Sequence, residues 1–340
     1  MAEITNTQIL LKHRPQGEPL DSDFDVRRLP LAPLKPGEIA IKVLYLSIDP
    51  YMRGRMNDGE SYAAPVQLGE VMTGESVGII IESKSDKYQI GDYVVAHLGW
   101  QSHIVCADTQ GSLAKVDPDL LPLSHYLGVA GMPGRTGYFG LLKLGKPKAG
   151  ETLVVAAASG PVGSMVGQVG KMKGCRVVGI AGGPEKCDFV KQELGFDEVI
   201  DHKQGDLANR LKAACPQGID IYFENVGGAV TKAVAPLLNR GARAPICGYV
   251  SNYNDNMANV ETPFHIFGAL AHPPEHRFFV VTEFFEEWWD ATREIAGWIK
   301  SGKLKYKESI IDGLENAPLA LRNVLSGKNF GKQLIKVAEV

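Results

Sequence analysis

The sequence predicts an α/β protein of two domains: a doubly wound parallel sheet after about residue 125, preceded by a small, barrel-like domain rich in strands. Three observations predict it. Residues 153–157 and 177–181 are short apolar runs, separated by a glycine turn and by Met165, Val166, Val169 and Met172 at helical spacing, which reads as a βαβ unit. From Ser124 onward strand-like and helix-like segments alternate, whereas before it short strand-like runs are divided by Gly, Pro and charged turns. The length of 340 residues suits two such domains.

In the first part, residues 39–46 carry apolar alternation, 77–82 follow Gly74, and the Gly91-Asp92 turn leads into 93–96. Pro30, Pro33 and Pro36 punctuate the first connection, and Pro118 and Pro122 mark the exit. Sheet strands are expected at 153–157, 177–181, 198–200, 219–223 and 244–247, with a sixth at 277–281. Helices fall between them, as at 186–194, and 288–300 has amphipathic spacing. Apolar runs at 310–311 and 334–337 are expected to return the tail to the first domain. The expected division is 1–125 with 301–340, and 126–300.

The turn after the first sheet strand reads A-A-A-S-G-P-V-G. Gly160 and Gly163 let backbone approach a ligand, and the helix that starts there aims N–H groups and its positive dipole end at a phosphate. The A-x-x-G-x-x-G spacing from Ala157, with strand and helix on either side, favours a dinucleotide site over an ordinary glycine turn. An NAD site places an acid on the ribose roughly 20 residues later. Here that place is Gly182-Gly183-Pro184, with Lys186 just beyond. The missing carboxylate and the ammonium favour a 2′-phosphate, and so NADPH, although Lys186 also suits the solvated start of a helix.

Charge and composition exclude other classes. A net charge of −3 gives no polybasic signal for nucleic acid or a membrane surface. No apolar run approaches the roughly 20 residues of a membrane span, and the N-terminus lacks a basic stretch followed by an apolar one, so the expected location is cytoplasmic. The five cysteines are scattered without a C-x-x-C pair, as reduced thiols are. Neither His97 nor His103 has a ligand-spaced partner, so no metal is expected.

Several separated blocks carry a resemblance: L-S-I-D-P-Y-M-R-G-R-M at 46–56, G-M-P-G-R-T-G-Y-F-G-L-L at 131–142, the glycine turn at 156–168, F-E-N-V-G-G at 223–228, C-G-Y-V-S-N-Y-N at 247–254, D-G-L-E-N-A-P at 312–318 and K-N-F-G-K at 328–332. Together they resemble the zinc-independent medium-chain dehydrogenase/reductases, within them the prostaglandin reductase/leukotriene B4 12-hydroxydehydrogenase group, and most of all its bacterial NADPH-dependent curcumin reductase branch. The resemblance implies a GroES-like partly open β-barrel domain joined to a Rossmann sheet, and a homodimer. It implies that Gly160, Pro161, Val162 and Gly163 face the pyrophosphate and that Gly182, Lys186 and His202 lie at the 2′-phosphate. It assigns the rest of NADPH to Asn225, to Cys247, Gly248, Tyr249, Val250, Ser251 and Tyr253, to Phe279, Val280 and Val281, and to Asn329. Phe278 and Arg135 are bulkier or more polar than the usual residues. Zinc-dependent relatives carry a cysteine in the first block and G-H-E soon after, where this chain has Ser47, Asp49 and Tyr51, and then Leu68-Gly69-Glu70.

The implied reaction is reduction of the C=C bond of an α,β-unsaturated ketone or aldehyde. Hydride addition to the β-carbon makes an enolate, which needs hydrogen-bond donors and then a proton at the α-carbon. Tyr253 is the first candidate donor, being a phenol with an ordinary pKa of about 10, or else it packs against the cofactor. Tyr51 is the second, for orienting the carbonyl. With Met52, Tyr62 and the irregular 254–272 segment they would line the substrate side. A quinone reductase and a non-catalytic NADPH-binding protein are the competing readings.

Overall fold

The computed structural model describes residues 4–59, 61–256 and 259–340. The chain divides into two compact units, 1–128 with 308–340, and 129–307.

In the first unit, β1 (Thr5–Leu11) and β2 (Phe24–Pro30) form an antiparallel ribbon. Five further strands follow: β3 (Glu38–Ile48), β4 (Glu75–Ser83), β5 (Tyr93–His97), β6 (His103–Ala107) and β7 (Ala114–Lys115). The short helix α1 (Tyr51–Arg55) leaves the end of β3. Ile39, Ile41 and Val43 are completely buried on one side of β3, Leu44 and Leu46 beyond them, which is why this strand is the centre of its sheet.

In the second unit, α2 (Met132–Phe139) precedes β8 (Thr152–Val155), α3 (Pro161–Met172), β9 (Arg176–Ala181), α4 (Pro184–Asp188), β10 (Glu198–Asp201), α5 (Leu207–Ala214) and β11 (Ile219–Phe223). Then come α6 (Gly228–Val234), β12 (Leu238–Ile246), α7 (Pro263–Gly268), β13 (Glu275–Phe278) and α8 (Trp288–Lys300). The six strands form a parallel sheet in the order β10-β9-β8-β11-β12-β13, the doubly wound arrangement with its order reversing beside β8. Its core includes Val154, Val178, Ile180, Ile219, Tyr222 and Ile246.

The tail gives β14 (Glu308–Asp312), α9 (Ala317–Leu325) and β15 (Lys332–Lys336). β15 pairs antiparallel with β3 and parallel with β14, so the first unit's sheet runs β14-β15-β3-β4-β5-β7, with β6 on β3 and, among the described residues, no closed barrel.

Three expectations need correction. The sixth strand lies at 275–278, upstream of 277–281: Phe279 turns into the core and residues 281–287 form a 3₁₀ segment. The 254–272 segment contains α7, started by Thr262 and Pro263, and residues 257–258 within it lie outside the described ones. Met52 is completely buried with Leu46 and Trp100, so it packs a core and lines no substrate surface.

Candidate active site

The glycine turn is built by conflict between side chains and backbone. Ala157 sits at φ +51°, a left-handed conformation unusual for alanine, and its carbonyl accepts the Gly160 amide at 2.9 Å. A Cβ on Gly163 would stand 2.9 Å from the Ala157 carbonyl carbon and from the Ala158 Cα, and closer still to the Ala157 oxygen, so only glycine fits. Pro161 opens α3 without an N–H, and Ser164 is the first residue whose amide donates into the helix, to Gly160 at 2.9 Å. The amides of Val162 and Gly163 are left for another acceptor, an arrangement that fits a phosphate.

At the end of β9, Gly182 lies against the next strand's turn: a Cβ there would meet His202 Nε2 at 2.7 Å and Lys203 Cε at 3.1 Å. Lys186 is half-buried in the first turn of α4, and burial together with the nearby Lys203 pulls its ammonium below the usual range. The structure thus gathers Gly182, Lys186 and His202, and adds Lys203. It also reveals an acid that sequence reasoning placed nowhere near. Burial alone would raise the Asp201 carboxyl, but the amides of Gly183 and Lys203, at 2.9 and 3.0 Å, with His202 and Arg210 nearby, hold it below the usual carboxylate range. Its oxygen Oδ1 is occupied by these two amides.

At the ends of β11 and β12 a second group meets. Asn225 donates from Nδ2 to the Ala156 carbonyl at 2.8 Å, tying β11 to the end of β8. The Cys247 amide donates to Glu224, the Val250 amide to Asn225, and Ser251 donates to Val226 through both its amide and, at 2.6 Å, its hydroxyl. Burial, and then Glu224, push the Cys247 thiol up to about 12, which leaves it a neutral packing group. The Tyr253 hydroxyl occupies the space that a Cβ on Gly248 would fill, and its ring meets Tyr249 edge-on at 5.8 Å.

The third stretch contributes less than expected through its side chains. Phe279 packs edge-on against Phe223 at 6.2 Å and Val281 is buried beside Phe139, while the Val280 amide donates to Glu283 at 2.9 Å. In the first unit, Asn329 donates to the Gly331 carbonyl at 2.8 Å. Tyr51 opens α1 with its hydroxyl buried and without a hydrogen-bond partner among the described residues. Burial, followed by the carboxylates of Asp49 and Glu75, raises the phenol well above its ordinary pKa, so it is a protonated donor awaiting an acceptor. Tyr62 is exposed.

Comparison with known proteins decides the family. Residues 7–116 match the family described as N-terminal domain of oxidoreductase, and residues 161–281 the family described as zinc-binding dehydrogenase. The NADPH-dependent curcumin reductase of Escherichia coli (strain K12) is 46% identical over 338 residues, 98% of this chain and 97% of that protein. This chain belongs to the medium-chain dehydrogenase/reductases. It falls in their prostaglandin and curcumin reductase group. The NADP(+)-dependent 2-alkenal reductase of Nicotiana tabacum is 40% identical over 99% of this chain and 98% of that protein. The crystal structure of CurA in complex with NADPH from Vibrio vulnificus superposes with a TM-score of 0.89 at 44% identity, covering 98% of this chain and 100% of that one.

Among the described residues, no three His, Cys, Asp or Glu side chains gather where they could hold a metal ion, and no helix is long and apolar enough to cross a membrane. Sequence reasoning passed over Glu224, although an acid closing the apolar run I-D-I-Y-F was the signal available for it.

Proposed function

We propose that this medium-chain dehydrogenase/reductase uses NADPH to reduce the C=C bond of α,β-unsaturated ketones and aldehydes, curcumin-like enones among them, without zinc. Near-full-length identity to an NADPH-dependent curcumin reductase carries the reading, and the cradle at Gly163 supports the cofactor. The amides of Val162 and Gly163, with Gly160 and Pro161 shaping the turn, take the pyrophosphate at the positive end of α3. Lys186, with His202 and Gly182 beside it, takes the 2′-phosphate. Asn225, Cys247 to Ser251, Tyr253, Phe279 to Val281 and Asn329 hold the remainder, Phe279 and Val281 through backbone because their side chains are in the core.

When bound, the nicotinamide supplies a hydride to the substrate's β-carbon. The chain's part is to hold the oxygen on which negative charge develops. Tyr253 donates a hydrogen bond to that oxygen, and Tyr51, kept a neutral phenol by burial and the nearby carboxylates, orients the carbonyl. We further place the enzyme in the cytoplasm as a homodimer acting on small molecules, with neither nucleic acid nor membrane as partner.

Purified protein should consume NADPH with several enones faster than with a simple quinone; no consumption with any enone would refute the reading. Lys186→Ala is expected to raise KM for NADPH about tenfold while leaving KM for NADH nearly unchanged, because only the former carries the 2′-phosphate. Equal effects on both would remove Lys186 from that role. Tyr253→Phe is expected to lower kcat about tenfold to a hundredfold with little change in KM for NADPH, the mark of a donor used in the transition state. Stopped-flow or steady-state rates measure this, and an unchanged kcat would leave Tyr253 a packing residue.

A further inference from the structure

Glu224 is completely buried at the end of β11, among groups that bury no charge of their own. Its carboxyl accepts from the Tyr222 hydroxyl at 2.9 Å, from the amides of Val226 at 2.8 Å and Gly227 at 2.9 Å, and from the hydroxyl of the completely buried Thr231. A carboxyl in such a place is costly, and an apolar side chain would fill the space more cheaply unless the acceptors are needed. What they hold is a turn. Gly227 and Gly228 lie at φ +81° and +54°, and the bonds to residues 226 and 227 close the chain around the Glu224 side chain.

The C-terminal end of β12 is laid on that turn. The Glu224 carbonyl accepts the amides of Cys247 at 3.0 Å and Gly248 at 3.4 Å, Asn225 accepts Val250 at 3.1 Å, and Val226 accepts Ser251 at 2.9 Å. A Cβ on Gly227 would collide with Asn252 and Tyr249, each at 2.7 Å, so the two turns are in close contact. The chain then reaches Tyr253, whose amide donates to Val250 at 3.2 Å.

We infer that Glu224 is a positioning residue: with Tyr222 and Thr231 it sets the 224–228 turn, and through it the placement of Asn225 and of the 247–253 segment that ends in Tyr253. The inference rests on the reading of those residues as contacts of the nicotinamide half of NADPH. Glu224 is completely buried and its carboxyl oxygens are taken by donors of the chain itself, so its role runs through the turn. Its carboxyl is raised above the usual range by burial, and the four donors oppose that rise. A glutamine keeps the acceptor for both amides and Tyr222, and its amide nitrogen donates to a Thr231 hydroxyl that reverses its role.

The test compares NADPH with 2′-phospho-ADP-ribose, which retains the 2′-phosphate, the pyrophosphate and both riboses and lacks only the nicotinamide ring. Calorimetric titration of Thr231→Val and Glu224→Leu is expected to show NADPH weakened about tenfold and 2′-phospho-ADP-ribose changed less than about twofold, with kcat lowered alongside. Glu224→Gln is expected to restore both ligands to within about threefold of the natural protein. Should Glu224→Leu fail to fold, Thr231→Val, which removes one hydroxyl, carries the comparison. A purely structural role predicts a lower Tm with both ligands weakened together or neither weakened, and either result overturns the inference. If the affinity split is found in a protein that reduces no enone, the enone reading fails and the positioning role of Glu224 stands.

Discussion

Gly163→Ala is expected to abolish most NADPH binding and to destabilise the second unit by about 2 kcal/mol or more. The added methyl meets the carbonyl carbon of Ala157 and the Cα of Ala158 at 2.9 Å. Both are backbone atoms, so no rotamer change relieves the clash. The turn itself must open, and Ala157 already holds a left-handed φ of +51° with its carbonyl on the Gly160 amide. Opening it pulls the Val162 and Gly163 amides away from a common acceptor. In a thermal melt, NADPH should raise the Tm of the natural protein and leave that of the variant nearly unmoved, since the shift reports binding to the folded state. Gly297→Ala is the matched control. That glycine is exposed in α8 with no atom within 4 Å of its added Cβ, so the change should stabilise by about 0.5–1 kcal/mol and spare binding. A Gly163→Ala protein that binds NADPH normally would remove this turn from the cofactor site.

The second large effect lies in the first unit. Lys332 is 2% exposed, and its ammonium donates to the Ile48 carbonyl at 3.0 Å and to Asp49 Oδ1 at 2.5 Å. The Ser47 hydroxyl donates to the other carboxylate oxygen. Lys332→Met strands a buried carboxylate with one hydroxyl for company, and is expected to cost about 3–5 kcal/mol. Lys332→Met with Asp49→Leu removes both charges, so most of the loss should return. Urea melts of the two single variants and the double variant measure the coupling, and simple additivity would contradict the account. The pair also anchors the entry to α1, because Ile48 and Asp49 lead directly into Tyr51.

What the sequence reveals follows the physics of each segment. β11 and α8 are legible to the residue, since a short apolar run broken by the single polar residue Asp220 and a 3.6-residue period are local signals. β12 begins six residues earlier than its apolar run, at Leu238, because the L-N-R-G-A-R half is partly exposed and its pairing with β11 shifts register between Ile219 and Ile221. β1 and β2 escape notice for a related reason: T-N-T-Q and D-V-R-R are polar, and β2 is exposed along nearly its whole length. At the candidate site, the glycines stand out because backbone approach demands them, and Lys186 is proposed because an expected acid is missing. Asp201 and Glu224 leave only the faint local mark of an acid after an apolar run. Their meaning comes from amides and hydroxyls in other segments, Gly183 for one and Thr231 for the other, which only the fold brings within reach.

The central claim is tested most directly by the fate of the hydride. Turnover of a simple enone with NADPH carrying deuterium at both C4 positions of the nicotinamide, followed by mass spectrometry and NMR of the product, should give the saturated ketone with deuterium at its β-carbon. Deuterium on the carbinol carbon of an allylic alcohol, or an enone recovered unchanged by a protein that binds NADPH, would contradict it.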